Sequence, residues 1–472
     1  VREKLAAWVQ AHQDEIIAET QAILRIPSVE EKESVGPDAP FGQPIAEALN
    51  HTLSLCERLG MKTENFGGYA GHAEFGQGEE IVGMLGHLDV VPVGKAWTCD
   101  PWGAEVRDGW LWARGSSDDK GPTYAALFGA KAVLDVAAAE GITLSRRIRL
   151  IFGCDEESGW QCMDHYFGAA AQPKPTVAFT PDASFPLVYA EKGSFTAIIQ
   201  KKVVAEGNSL RIAAFQSGYR ANMVPDEATA TLIGEEGTRE AAAHVLVNSF
   251  NLMVDEQSES LTVTAKGKSA HGATPQMGEN AAVKLMRILT SDTSAFDEMG
   301  AADTDWMRDL AVRAETDGSR IGIGGSDEVT GPLTSNMGVV TLEDGVVQAT
   351  FNVRYPATWD GEDVTGRFRA SVAETGWEVV QLSHTPPLYV PQDQEPVKTL
   401  LRVYREQTGD MSAPKTMGGR TYATTVAPIG VAYGAWREGD PNVAHQADER
   451  FAVERLLQCA SIYAHALYEL AK

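Results

Sequence analysis

Apolar residues recur at near-helical spacing along the first 26 positions, at Leu5, Trp8, Val9, Ile16, Ile23 and Leu24. This predicts one amphipathic helix, ended by Pro27, whose ring cannot continue the hydrogen-bond ladder. A second helix is predicted over 45–59. Short continuous apolar runs at 81–85, 148–152 and 177–179 read as buried strands. An Ala-rich, helix-like stretch at 124–140 separates the first two. Strand and helix alternate, which predicts an open α/β sheet of parallel strands, with ligands bound just beyond their carboxyl ends.

From about Gly193 the pattern changes to polar alternation, as in 194–203, 260–266 and 345–354, with a helix over 279–289. Antiparallel strands in an α+β arrangement produce this texture. After 386 the α/β pattern returns, with helices expected over 397–408 and 449–470. The 472 residues exceed the ~250–300 at which single cores stop growing. We therefore expect residues 1–192 and 386–472 to form one domain, with 193–385 inserted into it.

Net charge changes the picture of partners. At −25 it repels phosphate backbones and anionic lipid, so neither nucleic acid nor membrane is an expected partner. Residues 1–26 carry charges throughout, and the five cysteines form no CxxC pair. Reduced thiols and a cytoplasmic protein are the expectation.

The chemistry-bearing residues follow the predicted strands. His87 and Asp89 stand in GHLDV after the 81–85 run. An imidazole ligand needs its other nitrogen held, and a carboxylate two residues on can do that. GSSDDKGP sets Asp118 beside Asp119 at a helix start, where capping is a serious rival explanation. CDEESG crowds Asp155, Glu156 and Glu157 after the 148–152 run, and their charges repel unless a cation neutralises them. Asp182 follows the 177–179 run, and His445 lies in AHQADE. Each alone has an ordinary explanation as a capped helix, a solvated turn or a turn histidine. Together, His87, Asp118 or Asp119, Glu157, Asp182 and His445 fall at strand ends or loops of one predicted sheet. Two histidines and three carboxylates suit Zn²⁺, Mn²⁺ or Co²⁺, and five ligands favour two ions sharing one carboxylate.

The strings WTCDPWGAEVRDGWLWARGSSDDKGP, PDASFPLVYAEKG, GKSAHGATPQMGENAA and HQADE resemble the metallohydrolases that include acetylornithine deacetylase, succinyl-diaminopimelate desuccinylase, glutamate carboxypeptidase and aminoacylase. The resemblance implies a zinc-peptidase-like, mostly parallel sheet flanked by helices, with an inserted α+β lid. It implies that His87 and Asp182 hold one metal, Glu157 and His445 the other, and that Asp118 bridges them, leaving Asp119 a neighbour. Asp89 would orient His87, and Glu156 would act as general base toward the activated water and pass its proton to the leaving amine. His271 in SAHGATP would stabilise the oxyanion, and Asn222 and Arg354 would contact the scissile group and the substrate carboxylate. Gly418 and Gly419 would line a carboxylate pocket, but Arg420 stands where the family leads us to expect a third glycine.

Within this family the likeness implies a dipeptidase with two divalent ions, Zn²⁺ first, acting on small peptides. The insert of roughly 190 residues, about twice that of many relatives, implies a monomer. An N-acyl amino-acid deacylase is the alternative enzyme, and a catalytically silent binding protein on the same fold the alternative outside enzymes. The intact Glu156 favours an enzyme. No GxSxG elbow, P-loop or HExxH string occurs.

Overall fold

The computed structural model describes residues 1–204, 209–441 and 443–472. The chain forms two compact units, Val1–Ala190 with Leu388–Lys472, and Glu191–Pro387.

The first unit is built on a nine-stranded sheet. Its order is Lys62–Phe66, Ala70–Phe75, Arg147–Gly153, Ile81–His87, Val177–Thr180, Gly430–Ala432, Val188–Glu191 and Leu388–Tyr389, with Lys415–Met417 beside Val188–Glu191. Ile81–His87 pairs in parallel with Arg147–Gly153 on one side and Val177–Thr180 on the other, and Gly430–Ala432 continues the parallel set. The strands flanking this set pair antiparallel. The sheet, expected to be mostly parallel, is parallel across its four central strands and antiparallel where Ala70–Phe75 and Val188–Glu191 join them. A short turn joins Lys62–Phe66 to Ala70–Phe75, and a link that short permits only an antiparallel hairpin.

Register brings the strand ends level, because His87 lies opposite Gly153 and Met84 opposite Phe179. The chain passes from Ile81–His87 to Arg147–Gly153 on one side and then crosses to Val177–Thr180 on the other, so the carboxyl ends of the three strands lie side by side.

Helix Lys120–Glu140 starts earlier than its apolar stretch indicates and is buried along most of its length. It packs against the last helix, Val453–Ala471. Gly129 permits that contact, since a Cβ there would lie 2.9 Å from the Ala464 nitrogen. At its other end the helix presses on the central strand, where a Cβ on Gly86 would come 2.1 Å from Thr123 Oγ1. Gly86→Ala is thus expected to destabilise the protein by about 1–3 kcal/mol through overpacking. A lowered urea midpoint at unchanged slope would register this.

Two predicted helices differ from those observed. The opening helix is two, Arg2–Ala11 and Gln13–Leu24, broken at His12. The His12 ring stacks on Trp8 at 3.8 Å, and its Nδ1 lies 2.8 Å from the Trp8 carbonyl, a side-chain bond that competes with the ladder. The last helix begins at Val453 rather than 449 because Arg450–Ala452 is a strand paired with Trp110–Trp112.

The second unit is an eight-stranded antiparallel sheet in the order Met253–Glu256, Ser260–Lys266, Glu227–Gly234, Leu210–Ser217, Thr334–Glu343, Val346–Tyr355, Gly193–Lys202 and Glu378–Thr385. Alternate residues such as Phe195, Ala197 and Ile199 join a core with Leu285, Trp306 and Phe368 from its helices. No helix among the described residues is long and apolar enough to cross a membrane.

Candidate metal centre

The central strand ends in His87, whose side chain is 1% exposed. Its Nε2 faces Asp118 Oδ1 at 3.2 Å and Asp182 Oδ2 at 4.0 Å. Its Nδ1 lies 3.0 Å from the Asp89 carbonyl oxygen and 3.5 Å from Asp89 Oδ1. The sequence points to the Asp89 carboxylate as the group that holds the ring, but the backbone carbonyl is closer. Asp89 Oδ2 accepts the Glu157 N–H at 3.0 Å and so ties two strand ends together.

Asp118 turns its second oxygen the other way, with Oδ2 3.0 Å from His445 Nε2. The same nitrogen is 3.0 Å from Glu157 Oε1. Ligand atoms of His87, Asp118 and Glu157 lie within 4.8 Å of one another, as do those of His87, Glu156 and Asp182. Asp119 is differently engaged. It takes the N-cap position of helix Lys120–Glu140, and its Oδ2 accepts from Thr123 Oγ1 at 2.8 Å and from the His87 N–H at 3.4 Å. The two adjacent acids, indistinguishable by spacing, thus separate into one at a helix start and one facing two histidines.

The electrostatics are those of crowded, buried acids. Burial raises Glu156 to about 8, with Glu157, Asp89 and Asp118 adding to it, and burial likewise raises Glu157 and Asp182. Burial works against charge on His87, yet hydrogen bonds to Asp118 and Asp89 outweigh it and raise that group. Hydrogen bonds to Asp118 and Glu157 carry His445 to about 10. Burial would raise Asp118, but the bonds from His445 and His87 hold it below the usual carboxylate range. Positive charge on either histidine and a bound cation would favour the same ionised carboxylates, so the two compete for one place.

A raised histidine pKa means a proton that binds more tightly and competes harder with metal. Zn²⁺ or Mn²⁺ binding at pH 7 is therefore expected to release at least about one proton per chain and to weaken as pH falls. Calorimetric titrations in buffers of different ionisation enthalpy measure this, and a proton count of zero would contradict it.

Around the acids, Trp160 Nε1 donates to the Glu156 carbonyl at 2.7 Å, and its ring meets Tyr422 at 5.4 Å. Gly418 and Gly419 follow strand Lys415–Met417 and are half-buried. Arg420 lays its guanidinium 4.0 Å over the Trp160 ring, beside the Glu156 turn.

In the second unit, the Gly272 N–H donates to the Asn222 carbonyl at 2.7 Å, and Met223 pairs with His271, which brings Asn222 and His271 together. The Ala273 N–H donates to His271 Nδ1 at 3.2 Å. Burial and the charge of Arg354 lower the His271 pKa. Arg354 itself lies on strand Val346–Tyr355, opposite Ser194 and Thr334.

Sequence reasoning missed two supporting residues. Asn336 donates to the carbonyls of Ala221 and Met223 at 2.7 and 2.9 Å, holding the turn that carries Asn222. Glu449, fully buried, bonds to the turn that carries Asp118. Its only signal was membership of the HQADE string.

Residues 83–469 match the family model described as "Peptidase family M20/M25/M40". YtjP of Bacillus subtilis (strain 168), provisionally named a dipeptidase, is 37% identical over 472 residues, covering 97% of this chain and 98% of the relative. MW1694 of Staphylococcus aureus (strain MW2), named likewise, is 34% identical over 478 residues, covering 98% of each. The crystal structure of aminoacylhistidine dipeptidase from Vibrio alginolyticus superposes with a TM-score of 0.55 at 14% identity, covering 96% of each chain, a likeness of fold.

Proposed function

The chain belongs to peptidase family M20/M25/M40, and from that premise we propose that it is a two-metal dipeptidase acting on unblocked dipeptides. The observation that carries the reading is Asp118, one oxygen of which faces His87 and the other His445. A carboxylate with one oxygen toward each histidine is placed as a ligand shared by two ions would be. Tetrahedral donors ~2.0–2.1 Å from zinc stand ~3.3 Å apart. The separations of 3.2 Å for Asp118 and His87, 3.0 Å for Asp118 and His445 and 3.0 Å for Glu157 and His445 fit that spacing, while Asp182 is wider from His87 at 4.0 Å.

His87 and Asp182 would hold one ion, Glu157 and His445 the other, with Asp118 common to both. Oxygen and imidazole donors without thiolate suit Zn²⁺ first, then Mn²⁺ or Co²⁺. Bound there, the ions would supply Lewis acidity toward the scissile carbonyl and the attacking water.

The remaining chemistry belongs to side chains. Glu156, raised to about 8 by burial in the ion-free chain, would be lowered by neighbouring cations toward the range where a general base is effective. It takes the proton of the attacking water and delivers it to the leaving amine. His271 accepts the Ala273 N–H at Nδ1, so its neutral ring carries the proton on Nε2, and a neutral donor suits a developing oxyanion. Asn222 is assigned to the scissile group, Arg354 to the substrate carboxylate, and Gly418 and Gly419 to a carboxylate pocket.

The motif strings resemble those of the bacterial Xaa-His dipeptidase PepV, and the relatives named as dipeptidases support that substrate class. A monomer, in keeping with that resemblance, is the proposed state. Five free cysteines support a reducing, cytoplasmic setting.

Hydrolysis of β-Ala-His and Leu-Leu beside their N-acetylated forms, after chelation and re-addition of Zn²⁺ or Mn²⁺, tests the reading. Metal-restored cleavage of the unblocked peptides alone is the expected result. Cleavage of only the acetylated forms would make the protein a deacylase, and no metal-dependent cleavage of either would leave a silent binder.

A further inference from the structure

Glu449 is 0% exposed and lies four positions after His445. Its Oε2 accepts from Arg114 Nη1 at 2.6 Å and from the Gly115 N–H at 3.1 Å. Its Oε1 accepts from the Ser117 N–H and Oγ, both at 2.9 Å, and from the Asp118 N–H at 3.1 Å. Five donors from residues 114–118 thus converge on one carboxylate. The backbone closes the same junction, because the Ala113 N–H donates to the Glu449 carbonyl at 3.1 Å.

His445 is the most exposed of the five candidate ligands. Its side chain is 53% exposed, and its backbone is left-handed at φ 61, as is that of Asp448 at φ 58. Such conformations persist only where surrounding contacts enforce them. Asp448 is anchored by the Thr98 N–H and Oγ1 at 2.8 and 2.9 Å, and Glu449 by the 114–118 turn. With the ring half-exposed, the short stretch of backbone from His445 to these two anchors constrains where it sits.

We propose that Glu449 is a positioning residue that sets His445 against Asp118, and that affinity for the ion shared by Asp118, Glu157 and His445 depends on it. The inference rests on the two-metal reading. Without the carboxylate, the N–H of the bridging residue and the turn carrying His445 lose their common anchor, while His87 and Asp182 stay fixed by their strands. The ion on the His445 side should therefore suffer more than its neighbour.

Co²⁺ titration of the metal-free full chain, followed by calorimetry and visible absorption, tests this in wild type, Glu449→Gln and Ser117→Ala. Wild type is expected to take up two ions. Glu449→Gln should keep the first within about threefold and bind the second about 10–100-fold more weakly, as loss of a ligand-orienting partner does. Its kcat should recover in excess Co²⁺ with KM unchanged. Ser117→Ala, which deletes one of the five donors and leaves the fold intact, should weaken the second ion by a smaller factor and decides the matter if Glu449→Gln does not fold. Equal weakening of both ions, or none, would show a merely structural carboxylate and overturn the inference. A wild type that binds fewer than two ions would sink the two-metal reading and this inference with it.

Discussion

Glu156→Gln is expected to lower kcat by about 10²–10⁴-fold, the usual contribution of a positioned general base, while both metal ions remain bound. The side chain is isosteric, so the effect falls on proton transfer and leaves the ligands in place. The same substitution has an opposite effect on stability. Burial raises Glu156 to about 8 from 4.5, so the folded ion-free chain holds a proton that the unfolded chain has released. Stability contributed by that proton is present below pH 4.5 and is lost as pH rises toward 8. In chelator, wild type should therefore lose more thermal stability between pH 5 and pH 8 than Glu156→Gln does. A variant that kept wild-type kcat, or lost its metal, would remove Glu156 from the role of base.

Asp118→Asn is expected to abolish tight binding of both ions and to cost at least as much activity as the loss of the base, about 10⁴-fold. An amide offers one oxygen and one NH₂, so either His87 or His445 would face a donor where the carboxylate presents an oxygen to each. Asp119→Asn is the control. Burial raises Asp119 to about 7, and its Oδ2 is occupied by Thr123 Oγ1 and the His87 N–H. It should retain both ions with a loss of about tenfold in affinity, conveyed through His87. Metal content after dialysis distinguishes the two acids, and the reverse ranking would assign the bridge to Asp119.

Much of this site was legible in the sequence because it depends on local pattern. The runs at 81–85, 148–152 and 177–179 lie within the strands Ile81–His87, Arg147–Gly153 and Val177–Thr180, and helix Val397–Thr408 ends where its periodicity ends. A strand that is apolar on both faces must be central, so its following acids had to emerge at one sheet edge. That reasoning gathered His87, Glu156, Glu157 and Asp182 without coordinates. The hairpin at Lys62–Phe66 and Ala70–Phe75 escaped because the polar, exposed edge of its first strand carries no apolar run.

What tertiary structure alone decided is orientation. Asp118 and Asp119 have the same chemistry and adjoin in sequence. One faces His87 and His445 and the other sits at a helix start, with Glu449, 331 positions from Asp118, accepting the Asp118 N–H and Thr123 Oγ1 donating to Asp119. Periodicity reports which face a segment buries. It carries no information on which oxygen meets which nitrogen across residues brought together only when the sheet closes, and there the packing of distant segments set which side chains face one another.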